Sequence, residues 1–265
     1  MFEDWPFEKA FGFARDVGYT GIEIAPFTLA PDAYEITPER CAETKTLIED
    51  LGLETVGVHW LLAKTEGYYL TSPDPAMQEK TGKYFAQLAK VCRNLGGDIM
   101  VLGSPHQRNL LPGISHDQAM DYAAATLKIA DTALRDHGVT IALEPLGPGE
   151  GDFLNTAALG VELMGLVDSP NVRLHLDVKA MSTEADPVPD IIRRNAETMA
   201  HFHANDPNLL GPGMGEVDFD PIFAALTEVD YEGWVSVEVF DYSPGVETIC
   251  RESMATMKAS LANAS

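Results

Sequence analysis

Four residues with the makings of one reactive centre stand at the ends of four consecutive apolar runs. Glu144 lies in "TIALEPL" (140–146), Asp177 in "VRLHLDV" (172–178), His203 in "MAHFHAND" (199–206) and Glu238 in "WVSVEVF" (234–240). Over 174–177, "LHLD", apolar and polar residues alternate, the period of a strand with two distinct faces. The stretch "LHLDVKAM" (174–181) poses the problem most sharply, because an unpaired carboxylate on a buried strand costs several kcal/mol or more. Three carboxylates converging with one imidazole would repel one another unless a cation lay between them, and a divalent ion removes most of that repulsion. Glu144, Asp177, His203 and Glu238 therefore read as metal ligands. An oxygen-rich set with one nitrogen favours a hard or borderline ion, Mn²⁺ first, with Mg²⁺ and Co²⁺ as the other candidates. The residues two positions earlier, Ala142, His175, His201 and Ser236, would lie a layer deeper.

The elements that must position these groups follow from the same alternation. Further strand-like runs are "GIEIAP" (21–26), "TVGVHWL" (55–61) and "DIMVLGS" (98–104), making seven in all. Between them the apolar spacing is helical, over 37–53, 75–96, 115–137, 155–167, 187–198 and 220–228, with 244–262 after the last strand and 5–19 before the first. Thr37 and Pro38 mark a helix start, and Gly52 marks its end. Strict strand–helix alternation implies a parallel sheet, and eight such units at this length close a (β/α)8 barrel. In a barrel of this kind, polar residues at the C-terminal strand ends line the site. A doubly wound open sheet would carry a glycine-rich phosphate turn after its first strand, and none is visible. The expected architecture is a single TIM-barrel domain over 1–265 with the first strand largely missing, residues 1–4 being too short to supply it.

Bulk properties narrow the function. The 265 residues hold 41 acidic against 18 basic side chains, a formal charge of −23. Such a surface repels phosphate backbones and argues against nucleic acid as a partner. Three widely spaced cysteines, Cys41, Cys92 and Cys250, suit reduced thiols rather than a disulfide framework. The N-terminus lacks the pattern of a signal peptide, and no apolar run approaches a membrane span. A soluble cytoplasmic protein is expected.

The motifs "GYTGIEIAP", "ALEP", "LDVKAM", "HFHAND", "GMGEVDF" and "VSVEVF" resemble the xylose isomerase-like barrels, a family of sugar isomerases, ketose 3-epimerases, an inosose dehydratase and endonuclease IV. The spacing of the four ligands is similar to that of the ketose 3-epimerases. That resemblance implies that Glu144 and Glu238 also act as an acid/base pair on opposite faces of a keto-sugar, and that Glu150 contacts its hydroxyls. Barrels of this family often pair, so a homodimer is a possible assembly. Two positions depart from the pattern. The histidine expected three residues after the aspartate is Ala180, and the arginine expected six after the ligand histidine is Leu209. Lys179 is a candidate to take over the lost contact. Endonuclease IV needs the missing histidine and others, which with the acidic surface argues against a nuclease. The "HFH" pair (201, 203) is also the His-x-His of amidohydrolase barrels, but that motif belongs to a first strand.

Secondary candidates lie in two long loops. His59 ends a strand and reads as a proton donor or hydroxyl contact, whereas Trp60 should point the other way, into the core. Tyr68 and Tyr69 offer apolar faces for a sugar ring, His106 and Gln107 offer polar groups, and Arg108 offers an anion contact. Glu23 would support the ligands from behind. The Gly- and Pro-rich 205–219 segment reads as a lid, with Asn205 and Asp206 orienting ligand or substrate. The expected activity is a divalent-metal-dependent isomerisation or epimerisation of a keto-sugar through an enediolate. Two alternatives stand beside it: a lyase or dehydratase acting on a keto-sugar or 3-keto-glycoside, with His59 or His106 as leaving-group acid, and a non-catalytic sugar-binding barrel.

Overall fold

A computed structural model describes residues 1–2 and 5–264, so the expectation for residues 1–4 lies partly outside the described residues. Its strands are β1 (Gly21–Ile24), β2 (Glu54–Val58), β3 (Ile99–Leu102), β4 (Thr140–Leu143), β5 (Val172–Asp177), β6 (Met199–Ala204) and β7 (Val235–Val237). Its helices are α1 (Phe7–Val17), α2 (Pro38–Asp50), α3 (Pro75–Leu95), α4 (His116–His137), α5 (Ala157–Val167), α6 (Val178–Met181), α7 (Val188–Arg194), α8 (Asp220–Glu228) and α9 (Val246–Asn263). All neighbouring strands are parallel, in the order β1 to β7. The result is a nearly closed TIM barrel of seven strands, with a seam between β1 and β7 where the first strand of an eight-stranded barrel would lie.

Local chemistry sets the helix ends. The Thr37 side chain accepts from the Arg40 N–H to start α2, and Ser115 and Gln118 form a reciprocal capping box at the start of α4. Gly96, at φ +96°, ends α3 in the left-handed region that residues with a Cβ avoid. Two expectations need adjustment. The helix expected over 187–198 stops at Arg194, and a one-turn helix, α6, starts directly from the ligand strand, capped by the Asp177 carboxylate itself.

The helices bury their apolar faces on the outside of the sheet. Leu88, Leu127, Ile141 and Leu143 belong to one buried cluster; Leu174, Phe202, Ile222 and Leu226 belong to another. Each such side chain removed from water contributes about 1.5–3 kcal/mol. Inside the barrel the floor is a small plug of Ile99, Val101 and Ala142. Above it, the strand ends are free to hold polar groups.

Candidate metal centre

Register brings the polar residues together. Asp177 is the Cα partner of His203, which in turn pairs with Ser236, two residues before Glu238; one layer down, His175 pairs with His201. Glu144 and Glu238 each lie one residue past the end of their strand, where the chain has left the ladder to enter the following loop. Glu144, Asp177, His203 and Glu238 are all buried.

Glu144, His175, Asp177 and His203 each offer a ligand atom, and these atoms lie within 4.8 Å of one another. Glu238 joins them through its Oε2, 3.1 Å from Nδ1 of His203. The other ring nitrogen of His203 lies 3.1 Å from Glu23, whose second oxygen holds His201 at 2.6 Å. Glu23 thus orients the imidazole from behind, as a carboxylate does for a metal-bound histidine. Asp177 is held at both oxygens: Oδ1 accepts from the Ala180 N–H at 2.8 Å, and Oδ2 accepts from the Asn205 amide at 2.6 Å. Space for Glu144 comes from Gly103, where a Cβ would lie 1.6 Å from Glu144 Oε2.

The electrostatics show why these groups suit a cation. Burial, reinforced by Glu238 and Asp177, pushes the Glu144 carboxyl well above the ordinary range. Burial and the charge of Glu238 raise Asp177 to about 6. Burial works against Glu238 too, but His203 and His59 outweigh it and hold that carboxyl well below its usual value. His203 is raised well above its ordinary value because Glu23 and Glu238 outweigh its desolvation. Without a cation, then, the cluster holds Glu238 ionised while Glu144, and below about pH 6 Asp177, favour the neutral form. A divalent ion would offset the repulsion among these carboxyls, and the donor set fits one. His175 has neither ring nitrogen hydrogen-bonded, and burial drives its pKa well below normal. Burial thus favours the neutral imidazole, directly beside this cluster.

The secondary candidates separate into two groups. His59 Nδ1 lies 3.2 Å from Glu238 Oε1, so it is part of the centre. Lys179 and Glu150 meet at 2.5 Å, and the ammonium also lies 4.7 Å above the Phe240 ring. Arg108 is buried beneath the site: its Nη1 donates to the backbone oxygens of Glu144 and Leu102, at 2.7 and 3.3 Å, and Nη2 has no partner. Burial lowers the guanidinium to about 10. Its visible work is to anchor the backbone of Glu144. His106 is exposed on a 3₁₀ turn and is not brought to the carboxylates. The tyrosines are engaged elsewhere: Tyr68 stacks on Tyr84 at 4.2 Å, and Tyr69 donates to the Asn109 carbonyl at 2.9 Å.

Trp60 is the residue the sequence placed wrongly. Instead of pointing into the core, its indole N–H donates to Glu238 Oε1 at 2.8 Å. The 205–219 loop is strapped down rather than loose. Asp206 accepts from the Asn208 and Val217 N–H groups, while the Leu209 carbonyl accepts from Phe240 and Asp241.

A parallel α/β barrel whose strand ends gather three carboxylates and an imidazole has the donor groups to hold a divalent cation. Residues 11–260 match the family model for the xylose isomerase-like TIM barrel. The chain belongs to that family. It is 30% identical over 233 residues to an L-ribulose 3-epimerase of Methylomonas sp. (strain DH-1), covering 88% of this chain and 78% of that one. Among solved structures, D-psicose 3-epimerase with D-tagatose from Clostridium cellulolyticum H10 superposes with a TM-score of 0.83. It is 22% identical, with 98% of this chain and 94% of that chain covered. An E. coli 3-keto-D-glucoside 4-epimerase matches with a TM-score of 0.83 at 20% identity, covering 97% and 96%. These relatives make the chain an enzyme of the sugar isomerase and epimerase class, acting on a small sugar. No helix among the described residues is long and apolar enough to cross a membrane.

Proposed function

We propose that the protein is a divalent-metal-dependent epimerase of a keto-sugar, inverting the carbon next to the carbonyl. The observation that carries this reading is the pair Glu144 and Glu238. They stand on the ends of β4 and β7, with Asp177 and His203 between them on β5 and β6. The residues that would hold the ion are Glu144, Asp177, His203 and Glu238, and their oxygen-rich chemistry favours Mn²⁺. When bound, such an ion supplies polarisation of the substrate carbonyl, which acidifies the neighbouring C–H.

The side chains do the rest. Glu238, oriented by His59, Trp60 and His203, takes the proton from the carbon next to the carbonyl; the electron pair moves into the carbonyl and gives an enediolate. Glu144, entering the cycle as the carboxylic acid, gives its proton to the same carbon from the other side and inverts it; the cycle ends with Glu238 protonated and Glu144 ionised, and the roles exchange in the reverse direction. Lys179 and Glu150, adjacent at the mouth, contact the hydroxyl end of the sugar in place of the side chains that Ala180 and Leu209 lack.

The test is proton NMR in D₂O with Mn²⁺, chelated before recording, across a panel of ketoses and 3-keto-glycosides. Deuterium at the carbon next to the carbonyl, with a new epimer, is the expected result. Loss of a hydroxyl or aglycone, with an unsaturated product, would overturn it in favour of a lyase. A loaded, folded protein that exchanges no proton on any of them would overturn it in favour of binding alone.

A further inference from the structure

We infer that Trp60 is a positioning residue for Glu238, fixing one carboxylate oxygen so that the other stays with His203. The activity part of this inference rests on the epimerase reading; the contact itself does not.

Consecutive residues of a strand point to opposite faces. His59 continues β2, its N–H donating to the Ile24 carbonyl at 3.2 Å, so Trp60 should face away from it. Instead, Trp60 has φ +55°, a conformation rare for a bulky side chain. That turn puts two adjacent residues on the same oxygen, with His59 Nδ1 at 3.2 Å and the Trp60 indole nitrogen at 2.8 Å from Glu238 Oε1.

Strained backbone persists where the surroundings over-determine it, and they do here. The Trp60 carbonyl accepts from the Ala63 N–H at 3.1 Å, and the Leu62 N–H donates to Ser104 Oγ at 3.1 Å. The indole lies parallel to Phe240, 6.2 Å between centroids and 11° between planes, with Phe27 at 5.9 Å.

The need for such a brace is local. Glu238 follows the last residue of β7, the strand that borders the seam, so among the described residues no further strand beyond β7 steadies it. A short donor aimed at an ionised carboxylate supplies the missing constraint.

The test has two arms. The protein contains three tryptophans, Trp5, Trp60 and Trp234, so its ¹H–¹⁵N spectrum holds three indole signals. The Trp60 signal, identified by its loss in Trp60→Phe, should lie downfield, exchange slowly with solvent and move in Glu238→Gln. In the second arm, Trp60→Phe keeps the ring but removes the donor. Both Mn²⁺ affinity and the rate of substrate deuteration at saturating metal should fall by about 10- to 100-fold, with the sugar KM nearly constant. Trp60→His, which restores a ring N–H, should recover part of both. An indole signal indifferent to Glu238→Gln would overturn the inference, as would Trp60→Phe with wild-type Mn²⁺ affinity and exchange. If the wild type deuterates no sugar, the epimerase reading fails, and the indole signal and Mn²⁺ affinity still decide the role of Trp60.

Discussion

The barrel has two unlike sides. From β4 to β6 every strand has a partner on both edges, and Asp177 and His203 stand side by side in the register of a continuous ladder. Among the described residues, no ladder joins β1 to β7. A cavity of about 630 Å³ opens there, lined by Ile22, Ile24, Trp234 and Val237, and reaches the mouth at Glu238. On the closed side, backbone pairing places the chemistry. Across the seam, side chains do so: Glu23 of β1 grips His201 and His203 of β6, while His59 and Trp60 grip Glu238. The difference teaches that this centre is held by polar contacts where the sheet cannot hold it, so its seam side should tolerate change least.

The strongest way to break that contrast is Glu238→Gln, which removes the base on the seam side. Deuterium exchange should fall by about 10³-fold, and an unchanged rate would move the chemistry wholly to the closed side. Next comes Gly103→Ala on the closed side. A methyl group there overlaps the Glu144 carboxylate, so calorimetry should show weaker Mn²⁺ binding, with an overpacking cost of about 1–3 kcal/mol in stability. Glu23→Gln strips two buried histidines of their anion. Loss of one member of a buried pair typically costs about 3–5 kcal/mol, and chemical denaturation should find most of that here. Equal stability would mean that the seam is not held by Glu23.

Acidity sharpens the comparison more gently. Asp177 is raised in the folded state, so its proton adds stability below the unfolded pKa and that contribution is lost as pH rises through about 6. His203, also raised, adds in the same direction and loses its contribution at higher pH still. Glu238 and Glu23 are lowered, and their contribution disappears only as pH falls through their own low values. The metal-free protein should therefore lose thermal stability between pH 5 and 7. Mn²⁺ should restore more of it at pH 7 than at pH 5, because the ligands must deprotonate to bind. The smallest effect is expected for Lys179→Met, a rise of a few-fold in sugar KM with little change in Mn²⁺ binding.

Much of this was legible in the residues because strand periodicity is local. Seven strands, their order and the four groups at their ends follow from alternation, and Thr37 announced its helix. What escaped depends on backbone angles or long-range partners. Trp60 was assigned to the core by the same alternation that placed the others correctly, and one left-handed residue defeats that rule. Glu23 reads as supporting, but its two histidines are far away in sequence and only the closing of the sheet names them. Arg108, next to polar loop residues, reads as an anion contact; its burial under the Glu144 backbone has no sequence signature. His175 gives a signal only in hindsight, as a polar residue two positions before the ligand on the same face.

The seam has one more consequence, which concerns copies of the chain rather than the site. Among the described residues, β1 and β7 each carry an edge with no neighbouring strand, and such edges template pairing between molecules. What opposes that pairing is long-range repulsion from a formal charge of −23. Salt shrinks the reach of that repulsion to about 8 Å at physiological ionic strength, so colloidal behaviour should depend on the buffer. Dilute buffer keeps the molecules apart, and concentrated salt lets the open edges find one another.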